Sequence, residues 1–291
     1  MLPSYWMADA TQAAMIDTDE SRNIHRTISK FPAPLRKVAA VLKKYGFDVR
    51  VVGGAVRDFI IGKPARDIDF ATDADPSELI YIFNLENIPH DDKGIGHGTF
   101  VVLYSHATPT WATRIWWMLR AVGFDDAAIL DGGLDKWKAE GRPLETKETI
   151  HPPATLTLRG RPEIFVDKND IKAAIGKAGT LTLNALSQDQ HKGSGGVIYG
   201  RAGRIAGSSC VPAASLFGPD KTLKPINELR AAFDDVGAAP DKRVLVYCGG
   251  GIAATLDAFV LTALLGHKNV SVYDNSMQEW SNDPSLPMEV G

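Results

Sequence analysis

Apolar runs alternate with segments of helical spacing from Val101 to the C-terminal end of the chain. The order strand, turn, helix, short loop, strand, turn and amphipathic helix is predicted twice, from Val101 (VVLYS) and again from Val244 (VLVYC). Alternation of this kind indicates an α/β fold in which helices flank a parallel sheet.

These two stretches are related copies. Five matching pairs lie 143 positions apart: Tyr104 and Tyr247, Ser105 and Cys248, Gly123 and Gly266, Asp131 and Asp274, and Trp137 and Trp280. Matches at one offset indicate an internal duplication. The second copy has a further upstream half, with strands predicted at 163–166 and 180–184 and a helix at about 168–177. The segment 60–65 (IIGKPA), where a partner of GRIAGS at 203–208 would lie, does not resemble it. The first copy therefore consists of a second half alone.

Composition narrows the class of protein. The chain has 291 residues, of which 44% are hydrophobic and 23% charged, as expected of a soluble globular protein with about two domains. The net charge of −3 argues against RNA as a partner, because nucleic-acid binders usually show a basic face. No apolar run reaches the ~18–20 residues of a membrane span, and the N-terminus lacks the pattern of a secretory signal. We therefore expect no membrane association and a cytoplasmic location. The two cysteines are too few for a disulfide framework or a zinc site.

Cys248 has the features of a nucleophile. It ends the predicted strand RVLVY and precedes three glycines and a helix. Such a loop aims successive N–H groups at one point and adds the positive end of a helix, which stabilises a thiolate or a persulfide. The alternative is a buried structural cysteine before a tight turn. Cys210 has none of these nucleophile features, and we expect it to be a packed small residue. Phosphate chemistry of the Cys-x5-Arg type is disfavoured because Ala254 occupies the arginine position, whereas sulfur transfer needs only the thiolate and its loop.

Several stretches carry a family resemblance: RIWWMLRAVGF and LDGGLDKW within 114–137, YGRAGRIAGS at 199–208, VPAASL at 211–216, YCGGGIA at 247–253 and VYDNSMQEW at 272–280. Over about residues 98–291 the chain resembles the tandem-domain rhodanese and 3-mercaptopyruvate sulfurtransferase family. The resemblance implies that Cys248 forms the persulfide, and that Asp274 and Ser276 lie beside its loop. The amides of the loop would cradle the persulfide: Gly249, Gly250, Gly251, Ile252, Ala253 and Ala254. Ser105, at the corresponding position of the first copy, implies that this copy is inactive.

Two departures from the family concern the sulfur donor. Thiosulfate-using members carry basic residues just after the cysteine, and mercaptopyruvate-using members carry a serine two positions on. This chain has Gly249 and Gly250 there. The family arginines that bind the substrate anion are replaced in NALSQDQHKG, so we take Arg201 and Arg204 as candidate anion-binding residues. Exposed loop arginines without a ligand are the alternative for both.

The region before residue 98 has a different character. Residues 49–72 (VRVVGGAVRDFIIGKPARDIDFAT) predict a strand that ends at a glycine pair, a helix, and a second strand near Asp67. Asp67 and Asp69 are two positions apart, so on a strand both carboxylates point to one face, an arrangement that suits Mg²⁺. The glycine pair would let phosphate oxygens approach the backbone, and Arg57 could pair with a triphosphate. A solvated strand end is the alternative.

The stretches VVGGAVRD, IIGKPARDIDFAT, PSELIYIF and GIGHGT resemble the head domain of the CCA-adding tRNA nucleotidyltransferase and poly(A) polymerase family over about residues 35–98. The resemblance implies nucleotide-binding roles for Gly53, Gly54 and Arg57, and metal-binding roles for Asp67 and Asp69. After its HGT turn that family needs more strands, a third carboxylate, an arginine-rich motif and helical domains. This chain instead changes there to the sulfurtransferase pattern, so a fusion seam is predicted at 88–100.

The predicted architecture is α/β, with a C-terminal rhodanese-like parallel sheet flanked by helices and a hybrid α/β N-terminal region. Its parts are a weakly ordered lead (1–34), a partial nucleotidyltransferase-like segment (35–98), the second half of an inactive rhodanese-like domain (99–150) and a catalytic rhodanese-like domain (151–291).

Three functional readings follow. The first is an enzyme that moves sulfane sulfur from thiosulfate or 3-mercaptopyruvate to a thiol or cyanide through a Cys248 persulfide, with small-molecule partners and no cofactor. The second is a nucleotide-binding or nucleotidyl-transferring protein that holds Mg²⁺ at Asp67 and Asp69. The third is a catalytically inactive fusion whose incomplete N-terminal half exposes apolar surface.

Overall fold

The computed structural model describes residues 33–46, the backbone of 49–52 and 69–72, and residues 95–96, 98–146, 154, 156–157, 159–196 and 199–291. The chain divides into two compact units, Met1–Asp91 and Asp92–Gly291. The division falls within the predicted seam at 88–100. The first copy and the C-terminal region lie together in the second unit.

The first unit contains a helix and a pair of strands among its described residues. Helix α1 (Ala33–Lys44) buries Ala39 and Leu42, and its two C-terminal lysines complement the negative end of the helix. Strands β1 (Val49–Val52) and β2 (Asp69–Thr72) pair antiparallel. Strand β1 thus ends where the glycine pair begins, as the sequence predicts.

The first copy forms the predicted strand–helix–strand–helix unit: β3 (Val101–Leu103), α2 (Thr110–Ala121), β4 (Ala127–Ile129) and α3 (Gly133–Ala139). Strands β3 and β4 pair parallel. One face of β3 and of the residues that flank it is uncovered. The side chains on this face are largely exposed: Phe100 by 66%, Val102 by 52% and Tyr104 by 58%. The half domain therefore shows apolar surface of the kind that an incomplete sheet implies.

The rest of the second unit is built around a parallel sheet of five strands, in agreement with the predicted fold class. The elements in chain order are β5 (Phe165–Val166), α4 (Lys168–Ala174), β6 (Thr180–Asn184), α5 (Gln188–Lys192), β7 (Arg204–Ile205), β8 (Ser209–Cys210), α6 (Ile226–Asp234), β9 (Arg243–Tyr247), α7 (Ala254–Phe259), β10 (Val270–Tyr273), α8 (Ser276–Trp280) and β11 (Met288–Glu289). The order across the sheet is β5-β10-β9-β6-β8, with parallel pairing throughout. Strands β7 and β11 form a separate antiparallel pair.

Strand β9 lies at the centre of the sheet, and its side chains alternate between two apolar layers. Val244 and Val246 belong to one buried cluster, which also contains Trp117 of α2. Leu245 and Tyr247 belong to the other, together with residues of α4 and α8. A strand covered on both faces has no polar side, which is why RVLVY is almost entirely apolar.

Local signals set the ends of α4. The carboxylate of Asp167 accepts hydrogen bonds from the amides of Asn169 and Asp170, so the helix begins at Lys168 as predicted. The helix ends at Ala174 rather than near 177, because Gly176 adopts a left-handed conformation with φ +70°. Among the helices that the structure describes, none is both long and apolar enough to cross a membrane.

Candidate active site

Cys248 follows the carboxyl end of β9, the central strand of the sheet. Ligand sites of open parallel sheets lie at this edge. The residue is 2% exposed, and the loop of residues 249–253 leads directly into α7. Cys248 thus stands at the position that the sequence predicts for a nucleophile.

The loop presents unpaired amides. Within the described part of the chain, no hydrogen bond is made by five of its N–H groups: those of Gly249, Gly250, Ile252, Ala253 and Ala254. Buried or partly buried N–H groups normally find a partner, and a run of unpaired amides directly after a cysteine suits an anionic sulfur. The chemistry available to this arrangement is the stabilisation of a thiolate or of a persulfide anion.

Ser276 holds the loop in shape from across the site. Its Oγ accepts hydrogen bonds from the amides of Cys248 (3.0 Å) and Gly251 (3.2 Å) and donates to the carbonyl of Tyr273 (2.7 Å). Ser276 itself adopts a left-handed backbone with φ +49°, which is uncommon for a residue other than glycine. The amides of Cys248 and Gly251 are therefore already hydrogen-bonded to Ser276, unlike the five loop amides named above.

Asp274 lies beside the loop and is paired with Arg114 of the first copy. The guanidinium of Arg114 contacts both carboxylate oxygens of Asp274 and also donates to the carbonyl of Gly251 (3.3 Å). The side chains of Arg114 and Asp274 are only 15% and 12% exposed. Gly251, with φ +74°, has no room for a side chain because a Cβ would collide with Asp274. The first copy therefore supplies a cation that supports the loop of the second.

Sequence reasoning missed Arg114, although a signal exists. Arg114 stands three positions before Trp117, which is fully buried. Helical spacing therefore places the arginine on the same inward face of α2. A charge on a buried face needs a partner, and Asp274 provides it.

Tyr199 and Gln278 flank the two glycines that follow the cysteine. A Cβ at position 249 would collide with Cζ and Oη of Tyr199, and one at position 250 would lie 2.7 Å from Oε1 of Gln278. Tyr199 is half-buried. Burial, and to a smaller extent the neighbouring Cys248, raises the pKa of Tyr199. The pattern of the sequence does not indicate this placement.

Cys210 has a different environment from Cys248. Its thiol donates to the carbonyl of Leu186 (3.3 Å). Burial, with a contribution from Asp257, raises the pKa of Cys210 to about 12. The thiol therefore remains protonated at neutral pH, which suits a packed residue better than a nucleophile.

Arg201 and Arg204, the predicted anion-binding candidates, both use their guanidinium groups within the fold. Arg201 donates to four main-chain carbonyls, those of Trp280, Ser281, Asp283 and Leu286. Arg204 donates to the carbonyl of Gly291 (2.5 Å) and pairs with Glu289 (3.2 Å). These contacts favour a structural role over the predicted anion site.

The first copy lacks the corresponding chemistry. The Oγ of Ser105 donates to the carbonyl of Thr108 (2.5 Å). Asp131, the counterpart of Asp274, accepts a hydrogen bond from the amide of Leu223 (2.8 Å) instead of an arginine. No cysteine stands in this loop.

The structure does not test the nucleotide-binding candidates. Gly53, Gly54, Arg57 and Asp67 lie outside the described residues, and Asp69 is described only as the first backbone position of β2. The predicted phosphate and Mg²⁺ roles of these residues remain predictions.

Comparisons with known proteins follow the division of the chain. The family model of the rhodanese-like domain matches residues 168–283, and that of the poly(A) polymerase head domain matches residues 49–115. The sulfur carrier protein TtuD of Thermus thermophilus is 33% identical over 213 residues, which cover 68% of this chain and 73% of TtuD. A probable 3-mercaptopyruvate sulfurtransferase of Pseudomonas aeruginosa is 30% identical over 221 residues, covering 75% of this chain and 74% of the relative.

Solved structures give the same result for the fold. YnjE superposes with a TM-score of 0.64 at 25% identity, covering 75% of this chain and 53% of YnjE. The anaerobic ergothioneine biosynthesis enzyme of Chlorobium limicola, solved with trimethyl histidine, superposes with a TM-score of 0.62 at 26% identity, covering 75% of this chain and 56% of the enzyme. This chain thus spans little more than half of either solved chain.

The structure is an α/β protein with a parallel sheet. Cys248 and its glycine-rich loop lie at the carboxyl end of the central strand. With the relatives above, the chain belongs to the rhodanese-like sulfurtransferase family. The match at 49–115 also confirms the predicted resemblance to a poly(A) polymerase head domain.

Proposed function

We propose that this protein transfers sulfane sulfur through a persulfide on Cys248. The observation that carries the proposal is the set of five unpaired loop amides around a cysteine at the end of the central strand. These N–H groups would stabilise the negative charge that the sulfur carries both before and after it accepts the transferred atom.

The first half of the reaction loads the enzyme. The thiolate of Cys248 attacks the outer sulfur of thiosulfate, a bond forms between Sγ and that sulfur, the S–S bond of thiosulfate breaks, and sulfite leaves with the bonding electrons. With 3-mercaptopyruvate, the C–S bond of the donor breaks instead, and pyruvate leaves as its enolate and takes up a proton at carbon. Both routes produce the same persulfide.

The second half of the reaction regenerates the enzyme. Cyanide or a thiolate attacks the outer sulfur of the persulfide, the S–S bond breaks, and Cys248 leaves as a thiolate. The product is thiocyanate or a new persulfide. Neither half of the proposed reaction uses a cofactor. Its partners are a small-molecule sulfur donor and a thiol or cyanide acceptor.

The relatives support this choice of donors. Two proteins of Arabidopsis thaliana at 30–31% identity carry the name thiosulfate/3-mercaptopyruvate sulfurtransferase. A structural relative, EanB, has been solved with ergothioneine covalently linked to a persulfide cysteine. Thiosulfate and 3-mercaptopyruvate are therefore the donors to test first.

The deciding experiment compares the two cysteines. Purified protein is incubated with each donor and cyanide, thiocyanate is measured, and the mass of the donor-treated protein is determined. We expect thiocyanate formation and a gain of one sulfur atom in the wild type and in Cys210→Ser, and neither in Cys248→Ser. A Cys248→Ser variant as active as the wild type would contradict the proposal. A wild type without either signal would favour the inactive fusion.

A second candidate function rests on the head-domain match at 49–115. In this reading Asp67 and Asp69 hold Mg²⁺, and Gly53, Gly54 and Arg57 hold the phosphates of a nucleotide. The test is the incorporation of CTP or ATP into tRNA. Activity that is lost in Asp69→Ala and retained in Cys248→Ser would support it.

A further inference from the structure

The side chain of Tyr199 lies against the start of the cysteine loop. Gly249 and Gly250 contribute no side chains, and the ring of Tyr199 occupies the space in which a side chain at position 249 would begin. The carbonyl of Tyr199 accepts a hydrogen bond from Nδ2 of Asn282 (2.9 Å). The ring of Tyr199 thus forms a wall of the site beside Gly249.

The hydroxyl of Tyr199 has no hydrogen-bond partner among the described residues. A half-buried hydroxyl without a partner is unfavourable unless a ligand or water completes it. The raised pKa of Tyr199 keeps the group protonated at neutral pH, so it acts as a donor.

Arg114 and the two arginines that the sequence offers as anion-binding candidates are used elsewhere. Arg114 is paired with Asp274, Arg201 with main-chain carbonyls, and Arg204 with Glu289. An oxyanion brought to Cys248 would therefore meet the loop amides and the hydroxyl of Tyr199 rather than one of these cations.

We propose that Tyr199 donates its phenolic hydrogen to the oxyanion group of the sulfur donor bound at Cys248. That group is the sulfonate end of thiosulfate or the carboxylate of 3-mercaptopyruvate. The inference rests on the proposed sulfur transfer and adds a residue that binds the donor in a loop whose first two positions are glycine. The acceptor step does not involve the donor's oxyanion, so Tyr199 acts on the loading step alone.

The test uses Tyr199→Phe, which keeps the ring against Gly249 and removes only the hydroxyl. Persulfide loading is followed by mass spectrometry with thiosulfate, with 3-mercaptopyruvate and with inorganic polysulfide, which has no oxyanion and gives up one sulfur to leave a chain shorter by one. We expect the KM for the two oxyanion donors to rise about tenfold, as for the loss of a hydrogen bond to a charged group. Loading from polysulfide and the KM for cyanide should not change. Tyr104→Phe, an exposed tyrosine of the first copy, is the matched control.

The outcomes separate the two proposals. If the wild type loads from no donor, the proposed function fails, and this inference fails with it. If the wild type loads and Tyr199→Phe matches it with both oxyanion donors, only the inference is wrong. Equal slowing with all three donors, polysulfide included, would likewise overturn it, since the hydroxyl would then act without reference to the oxyanion.

Discussion

At the scale of single residues, the shape of the cysteine loop depends on partners far away in the sequence. The hydroxyl of Ser276, 28 positions after Cys248, accepts hydrogen bonds from the amides of Cys248 and Gly251. Gly251 is required by its positive φ and by the closeness of Asp274. The sequence predicts the nucleophile and its glycines from local spacing, and the resemblance places Ser276 and Asp274 beside them. The hydrogen bonds themselves depend on tertiary packing, which no local pattern encodes.

Ser276→Ala should destabilise the protein and misplace the loop. The change leaves the buried amides of Cys248 and Gly251 without their acceptor, and an unsatisfied buried donor costs about 1–3 kcal/mol. We expect the free energy of unfolding, measured in urea, to fall by at least about 2 kcal/mol, and kcat/KM to fall with it. Ser285→Ala, which removes an exposed hydroxyl bonded to Asp283, is the control and should change neither quantity measurably. Equal stability of the two variants would contradict the bracing role of Ser276.

Gly249→Ala should be unfavourable chiefly because of Tyr199. The new methyl group would overlap the phenol ring, and overpacking of this kind costs about 1–3 kcal/mol. Removing the ring should remove the conflict, so the double variant with Tyr199→Ala should lose less stability than the sum of the two single changes. Urea unfolding of the four proteins of this cycle measures the coupling. Additive losses would show that the ring and position 249 do not compete for space.

At the scale of elements, the order of strands and helices is predictable and some details are not. The buried strand RVLVY and the helix after Asp167 form where the sequence indicates, because both depend on local pattern and capping. The partner that Arg114 finds and the use of Arg201 by four carbonyls follow from packing between elements, which single-element patterns do not contain. An arginine in a loop that the sequence suggests is free for a ligand, such as Arg201, can thus be hydrogen-bonded within the fold.

Helix α5 carries a buried histidine that should make stability depend on pH. His191 is 8% exposed, and its Nδ1 lies 3.2 Å from Nδ2 of Asn184. Burial lowers the pKa of His191 to about 4. Between this value and the unfolded value of about 6.5, the unfolded chain binds more protons than the folded one. The free energy of unfolding should therefore fall as the pH is lowered from about 6.5 towards 4, by on the order of 3 kcal/mol from this group.

Urea unfolding across this pH range checks the prediction. His191→Gln should have a weaker pH dependence than the wild type, because the titrating group is gone. His106→Gln, which removes an exposed histidine of the first copy, should keep most of the wild-type slope. Identical slopes for the wild type and His191→Gln would contradict the assignment.

At the scale of the whole molecule, two sequence families meet within one strand and helix. The head-domain match extends to residue 115, whereas β3 and the start of α2 at 101–115 lie in the second compact unit. In that unit α2 packs against α7, with Trp116 edge-on to Phe259 at 4.9 Å and the hydroxyls of Thr113 and Thr255 2.9 Å apart. The half domain therefore acts as part of the sulfurtransferase unit, even though one face of β3 remains exposed.

The contribution of the half domain to the site should be measurable through Arg114. Arg114→Gln removes the charge that faces Asp274 while keeping a polar side chain, and it leaves a largely buried carboxylate without its partner. Breaking a buried ion pair on one side costs about 3–5 kcal/mol, and the slight exposure of this pair places the expected loss near about 3 kcal/mol. The carbonyl of Gly251 also loses a donor, so kcat/KM for thiosulfate should fall by more than the fraction of unfolded protein explains.

The control for Arg114→Gln is Arg142→Gln, which breaks a pair between exposed Arg142 and Glu140 in the same half. Exposed pairs contribute about 0–1 kcal/mol, so this variant should unfold like the wild type and retain its activity. If both variants behave alike, the first copy does not support the cysteine loop and contributes packing only. If Arg114→Gln alone loses stability and activity, the helix of the first copy supplies the cation that holds Asp274 and Gly251 in place beside Cys248.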